Sequence, residues 1–310
     1  MPTSKSSTDD TTSQSADVVP AQEKPVVGYT TKMFVQSLFP YRKSEDEKRV
    51  LTQGSNSITI SSTAGLPYGR FPRLIMAYLI TQITERDRQV KRGTLSREEA
   101  RKIPLGYSMN EFLNQIGLQA RGTGGKSGSL TRLRDQLRRI NRCTITVESR
   151  LPNRDVGINT QIASSWDLWF SEKHPNQGSL TPSHITVTEE YFNYVAEAPI
   201  PIDLNVMRKL RSPRAMDCYS WLVTKQYWLH KKNIDQHTFS WQTLVNNFSG
   251  TPVTTSRQLT HFRQDFQNAV SEIRKQWPKL EVEINGQDGL TVHSSKLAIP
   301  EKDEEDQNVK

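Results

Sequence analysis

The chain has 310 residues, of which 34% are hydrophobic and 24% charged, so it can bury one large core or two small ones. Its formal charge is +8 although residues 297–310 are acidic, so the rest is more basic than the total suggests. This excess favours a polyanion as the partner. The two cysteines, Cys143 and Cys218, form neither a C-x-x-C pair nor a disulfide framework, which predicts a reducing, cytoplasmic compartment.

The two ends of the chain differ in composition from its middle. Residues 1–27 are mostly small and polar and contain no signal-peptide core, so we expect a disordered segment and no secretion. Residues 297–310 end in EKDEEDQNVK, which predicts an acidic, disordered tail. No apolar run reaches the length of about 18 residues that a membrane span needs.

One local pattern of elements occurs twice between these ends. The first copy, residues 28–200, begins with an apolar helix (71–84) and a short helix. The short helix is opened by a capping box of Ser108 and Glu111 and ended by Gly117. A glycine-rich turn, a helix from 129, and strands at 143–149 and 158–170 follow in that order.

The second copy, residues 201–296, repeats that order. It contains an apolar helix (213–229), a short helix (241–248) capped by Ser240 and ended by Gly250, a long helix (256–277), and strands at 280–284 and 290–294. Two helices followed by a hairpin are typical of a winged helix. The sequence therefore predicts an α+β fold of two tandem winged-helix domains.

The third helix of the first copy is strongly amphipathic. At about 100° per residue, Leu130, Leu133, Leu137 and Ile140 form one apolar stripe, and the opposite face is rich in arginine, with Asp135 as its acid. The arginine fork binds a phosphate or the O6 and N7 edge of guanine. The predicted DNA contacts of this copy are Lys126 in the turn, Thr131, Arg132, Arg138, Arg139 and Arg142 on the helix, and Arg150 and Arg154 in the hairpin.

The long helix of the second copy buries a stripe of Leu259, Phe262, Phe266, Val270, Ile273 and Trp277. Its other face is rich in amides, which pair with adenine, and has cations at both ends for phosphates. The predicted DNA contacts of this copy are Arg257, Thr260, His261, Gln264, Gln267, Asn268, Ser271 and Lys275.

Three features suggest catalysis, but each has a simpler interpretation. The segment ARGTGGKS departs from a P-loop at Ala120 and follows a helix rather than a strand, so a phosphate-contacting turn is the better reading. The six histidines show no metal-ligand spacing. Tyr219 and Tyr227 lie in an apolar helix and are predicted to be core. We therefore expect no catalytic site, no metal and no cofactor.

Two segments resemble the plasmid-encoded RepA replication initiators: GLPYGRFPRLIMAYL at 65–79 and GGKSGSLTRLRDQLRRI at 124–140. The resemblance extends over about residues 60–295 and rests more on pattern than on motif in the second copy. It implies a protein that binds direct repeats (iterons) in double-stranded origin DNA, helps to open an adjacent A·T-rich stretch, and recruits the host initiator and replicative helicase. It also implies a homodimer that represses its own promoter and monomers that bind the repeats.

Three other functions fit parts of this pattern. A transcriptional repressor that binds an inverted repeat at its own promoter would use the same two modules. A relaxase or recombinase would need a metal triad or an activated nucleophile, which the sequence does not offer. A nonspecific nucleoid protein would bind DNA in a salt-sensitive way without sequence preference.

Overall fold

The computed structural model describes residues 24–53, 55–119, 128–151, 153–169 and 178–300. The helices found there are α1 (Arg70–Lys91), α2 (Arg97–Arg101), α3 (Met109–Gln115), α4 (Ser129–Ile140), α5 (Glu189–Glu197), α6 (Leu204–Lys209), α7 (Pro213–Lys232), α8 (Trp241–Phe248) and α9 (Ser256–Gln276). The strands are β1 (Val27–Thr30), β2 (Lys48–Gln53), β3 (Asn56–Ser62), β4 (Lys102–Gly106), β5 (Cys143–Leu151), β6 (Arg154–Gln161), β7 (Ala163–Asp167), β8 (Ser183–Val187), β9 (Ile200–Asp203), β10 (Gln236–Ser240), β11 (Val282–Asn285) and β12 (Gly289–His293). The prediction of a mixed helix and strand fold is confirmed.

The short helices begin and end where the sequence predicts. The Ser108 hydroxyl accepts the Glu111 N–H at 3.2 Å, and Ser240 accepts the Thr243 N–H at 3.3 Å. Gly117 and Gly250 both adopt positive φ, which glycine reaches without a Cβ clash. The predicted capping box at Ser108 is incomplete, because the Glu111 carboxylate accepts the N–H of Tyr107 instead.

All strand pairs in the described residues are antiparallel, and the two copies use their strands differently. In the second copy, β10, β12 and β11 form one three-stranded sheet in that order. In the first copy, the hairpin β5–β6 is extended by β3 and β2, whereas β4 pairs with β8 in a separate sheet. The first copy therefore keeps the order of elements but not the pairing of the second.

The predicted single strand at 158–170 is wrong. It divides at Ile162 into the end of β6 and the strand β7, which belongs to the sheet of β4 and β8. Ile162 is fully buried, and its N–H donates to the carbonyl of Cys143 at 3.1 Å. This bond holds the chain where it leaves one sheet for the other.

The described residues extend further at both ends than the sequence predicts. Val27, assigned to the disordered segment, starts β1 and pairs with Asp203 of β9. Ala298, assigned to the tail, packs against the hydrophobic core. The predictions of disorder for residues 1–23 and 301–310 lie outside the described residues. The predicted division into domains at residue 200 stays a prediction.

The apolar helices α1 and α7 provide much of the core. Leu79 and Ile83 of α1 and Tyr219 and Leu222 of α7 are all fully buried, as their pattern predicts. Cys143 and Cys218 are buried free thiols. Tyr227 is 48% exposed, so its assignment to the core is wrong. It lies eight residues after Tyr219, which turns it about 80° around the helix toward solvent.

A buried ion pair joins these two helices. The Arg73 guanidinium of α1 donates Nε and Nη2 to the two carboxylate oxygens of Asp217 in α7, both at 2.7 Å. The two side chains are 4% and 6% exposed. Arg73 also donates to the carbonyls of Phe39 at 2.8 Å and Gly69 at 2.6 Å. Because each charge would be costly to bury alone, the pair fixes α1 against α7.

Replacing Asp217 by Asn should lower the free energy of unfolding by about 3–5 kcal/mol, because it leaves the Arg73 charge buried without its counter-ion. Asp265→Asn is the matched control. Its carboxylate also pairs with an arginine, Arg214 at 2.8 Å, but the Asp265 side chain is 63% exposed. Urea denaturation measures both variants. Equal small losses in the two would mean that the buried pair does not hold the helices together.

Candidate nucleic-acid interface

The helix α4 follows the predicted amphipathic pattern. Leu133, Leu137 and Ile140 are fully buried, and Leu130 packs partly buried against the core. The helix packs against α1 and α3. The apolar stripe therefore faces inward, and the predicted outer face is left accessible to a ligand.

The outer face of α4 is basic. Thr131, Arg132, Arg138 and Arg142 are exposed, as predicted. Arg134 is exposed as well, although the sequence interpretation omitted it. The signal was present, since Arg134 lies four residues before Arg138 and so shares its face of the helix. Four arginines thus extend along one side of α4 and the turn that follows it.

The predicted exposure of Arg139 is wrong. Arg139 is 9% exposed, and its Nη1 donates to the carbonyl of Leu66 at 3.2 Å. Its Nε donates to the Asp135 carboxylate at 2.9 Å, and its guanidinium lies 5.2 Å from the centre of the Tyr68 ring. The chain before α1 covers this edge of α4, so Arg139 anchors the helix instead of facing a ligand.

This anchor also changes the charge of the outer face. Asp135 is the acid of that face, and Arg139 together with the side-chain amide of Gln136 (3.0 Å) already contacts its carboxylate. Asp135 therefore helps to fix the helix. Because Arg139 already balances its charge, Asp135 offsets less of the positive charge of the exposed arginines.

The helix α9 also presents the predicted polar face. Its buried stripe contains Phe262, Phe266, Val270 and Ile273. The outward residues Arg257, Thr260, His261, Gln264, Asn268, Ser271 and Lys275 are exposed, whereas Gln267 is half-buried. The Gln264 amide donates to the Asn268 side-chain oxygen at 3.3 Å, so these two amides are neighbours one turn apart.

The remaining predicted contacts lie in the turn and hairpin of the first copy. Lys126 lies outside the described residues, as does the whole P-loop-like segment from 120 to 127. The backbone of Arg150 belongs to β5, but its side chain is not among the described atoms. Arg154 is exposed at the start of β6. Among the first-copy predictions, the structure therefore gathers Thr131, Arg132, Arg138 and Arg142 along α4 and the turn that follows it.

The second hairpin differs in charge from the first. Glu283 in β11 has a side chain that is 77% exposed, and Glu281 and Asp288 are also exposed. No lysine or arginine occurs between residues 280 and 295. A phosphate would be repelled here, so the second hairpin is not a basic wing.

Of the two tyrosines that suggested catalysis, Tyr219 has a structural role. Its side chain is fully buried, which raises the pKa of its hydroxyl, and that hydroxyl accepts the Asp203 N–H at 2.8 Å. Within the part of the chain that the structure describes, no three His, Cys, Asp or Glu side chains are grouped to hold a metal ion. No helix in the same residues is long and apolar enough to cross a membrane.

Two longer helices that expose arginines or amides, each preceded by a shorter helix and followed by a hairpin, are typical of proteins that bind DNA. A family model described as plasmid-encoded RepA protein matches residues 66–243, more than half of the chain. The chain therefore belongs to the plasmid-encoded RepA family of replication initiators. No curated protein sequence matches it significantly.

The chain is similar in fold to a crystal structure of selenomethionine derivatives of domains 2 and 3 of RctB. The TM-score is 0.52 and the sequence identity 11%, and the match covers 86% of this chain and 98% of that chain. At this identity the likeness concerns the fold alone. It covers more of the chain than the family model does.

The neighbours Arg138 and Arg139 should behave differently when each is replaced by Ala. Loss of the Arg139 contacts to Leu66 and Asp135 should lower the free energy of unfolding by about 1–3 kcal/mol, because the Leu66 carbonyl loses this donor and Asp135 loses its counter-ion. The exposed Arg138 should change it by no more than about 0.5 kcal/mol. Urea denaturation tests the contrast, and an equal effect of both changes would contradict the structural role of Arg139.

Proposed function

We propose that this initiator binds double-stranded DNA at a plasmid origin by placing α4 and α9 in successive major grooves, with α4 mainly on phosphates and α9 on base edges. Each helix would act as the recognition helix of a winged-helix unit. The support comes from the family and from the exposed residues of the two helices.

The observation that carries the proposal is the outer face of α4. Arg132, Arg138 and Arg142 are exposed along it, and Asp135 is held by the buried Arg139. An ordinary solvated helix face mixes both signs of charge so that neighbours one turn apart pair. A face of arginines is costly in self-repulsion unless a polyanion contacts it.

The face of α9 supports base recognition. Gln264 and Asn268 are exposed neighbours, and Thr260 lies one turn before Gln264. Glutamine and asparagine can donate to N7 and accept from N6 of adenine, and the threonine methyl can contact thymine. Arg257 near the start and Lys275 near the end of α9 are placed to rest on phosphates.

The strands favour the winged-helix interpretation to different degrees. The three-stranded sheet of β10, β12 and β11 lies beside α7 and α8, and α9 packs on α7, as a winged helix requires. In the first copy β4 pairs with β8 in a separate sheet, so only the helices and the hairpin match a winged helix. Arg154 makes the first hairpin the better candidate for a wing on DNA, and the acidic second hairpin is left out of the proposal.

Membership of the family supports a wider role. The proposal includes binding to direct repeats, opening of adjacent A·T-rich DNA, recruitment of the host initiator and helicase, and a dimer that represses its own promoter. It includes no chemical step, no metal and no cofactor. The site of action is the bacterial cytoplasm, where the plasmid is replicated.

Replacing Arg138 by Ala should weaken DNA binding and flatten its dependence on salt. Each phosphate contact that is lost should reduce the slope of log K against log salt by about 0.9, because fewer counter-ions are released. Fluorescence anisotropy with a labelled duplex at several salt concentrations measures this slope. Lys209→Ala, a basic change outside α4, is the control. An unchanged slope for Arg138→Ala would remove this arginine from the interface.

Replacing both Gln264 and Asn268 by Ala should cost about 1–3 kcal/mol of binding on the specific site and little on random DNA, because base contacts are lost. The chain offers a matched control on α8, where Gln242 donates to Asn246 at 2.9 Å and both are exposed. The double change at those positions should leave both affinities unaltered.

Equal losses on specific and random DNA after the α9 change would show that Gln264 and Asn268 contact only the backbone. Equal effects of the α8 and α9 changes would exclude α9 as the base-reading helix. Competition titrations with the two duplexes separate these results.

A further inference from the structure

A tryptophan that no sequence motif selected lies against the last arginine of the basic face. Arg142 stands in the turn after α4, and its guanidinium carbon is 5.2 Å from the centre of the Trp166 ring in β7. Both residues are accessible, and Trp166 is 39% exposed. A cation at this distance from an indole is attracted by the ring.

The fold brings these distant residues together in two steps. The Ile162 N–H donates to the carbonyl of Cys143, so β7 starts beside the residue that follows Arg142. Trp166 then pairs with the fully buried Ile185 of β8. Residues paired across neighbouring strands share a face of the sheet, so the indole lies at the rim of the core beside the end of α4.

Arg142 is restrained from a second side. Its Nη1 donates to the carbonyl of Arg138 at 3.3 Å, one turn earlier. The backbone around it is fixed too, because the Arg142 N–H donates to the Arg139 carbonyl and the next residue, Cys143, is fully buried. A side chain that is already held loses less conformational freedom when it binds a phosphate.

We propose that Trp166 is a positioning residue of the DNA surface: it holds the Arg142 guanidinium in place to contact a phosphate next to the C-terminal end of α4. This rests on the proposed function and extends its surface from α4 to the edge strand β7. The charge of Arg142 makes the contact, and the indole lowers the entropic cost of making it.

The test is a double-mutant cycle with Trp166→Ala, Arg142→Ala and the combined variant. Binding to a short labelled duplex of random sequence is measured across a salt series. Trp166→Ala should weaken binding about two- to fivefold, the range of one exposed cation–π contact, and leave the salt slope unchanged. Arg142→Ala should flatten the slope by about 0.9. In the Arg142→Ala background, Trp166→Ala should have no further effect.

Two further variants separate positioning from general damage to the fold. Trp169→Ala removes a tryptophan that is 42% exposed three residues later, and it should leave binding unchanged. Trp166→Phe keeps an aromatic face and should restore most of the affinity. Urea denaturation confirms that each variant is folded under the binding conditions.

The outcomes distinguish this inference from the proposed function. If Trp166→Ala weakens binding equally with and without Arg142, or not at all, Trp166 does not act through Arg142 and the inference fails. If Arg142→Ala has no effect while Arg138→Ala flattens the slope, the inference also fails but the α4 surface stands. If neither arginine matters, both the inference and the role of α4 are overturned.

Discussion

The arrangement of both candidate helices depends on the buried ion pair between Arg73 and Asp217. It fixes α1 against α7 with two bonds of 2.7 Å between side chains that are almost fully buried. The core helix α1 packs on α4, and α7 packs on α9. A further link joins the copies, since Arg49 of β2 donates to the carbonyl of Gly250 before α9. Within the second copy, Arg214 of α7 pairs with Asp265 of α9. The two candidate recognition helices are therefore carried by core helices that are bonded to each other, which would suit the proposed presentation of both to DNA at a set spacing.

The basic face of α4 shows how one residue type serves two purposes on a single helix. Arg139 is used internally, where it holds Asp135 and the backbone before α1. Arg138, its neighbour, turns outward, and Arg142 is steadied by the indole of Trp166. Burying one arginine with the acid of the face leaves the outer arginines with a stronger positive field. Stability and the proposed affinity for DNA would thus depend on adjacent residues, so that changing one need not disturb the other.

Local sequence rules predicted the helices that carry the candidate site. They could not predict which side chains are buried by distant segments or which strands pair, because those features depend on long-range contacts. The 3.6-residue period and the Ser and Gly caps gave α3, α4, α8 and α9 nearly to the residue, because these signals act within one or two turns. The burial of Arg139 depends on residues 65–68, which lie some seventy positions earlier, and nothing in α4 itself reveals it. The pairing of β3 with β5 and the departure of β7 to another sheet are likewise contacts between distant segments. The contact proposed to position Arg142 is of the same kind: the strand β7 brings Trp166 to Arg142, which lies in the turn after α4.

The central claim, that this protein binds repeated sites in origin DNA, is tested most directly by footprinting the purified 310-residue chain on the DNA around its own gene. The experiment is done at about physiological salt with excess competitor DNA, so that nonspecific binding is suppressed. We expect protection of several evenly spaced direct repeats. A single protected inverted repeat over the promoter would indicate a repressor instead. Uniform weak protection along the fragment would contradict sequence-specific binding altogether.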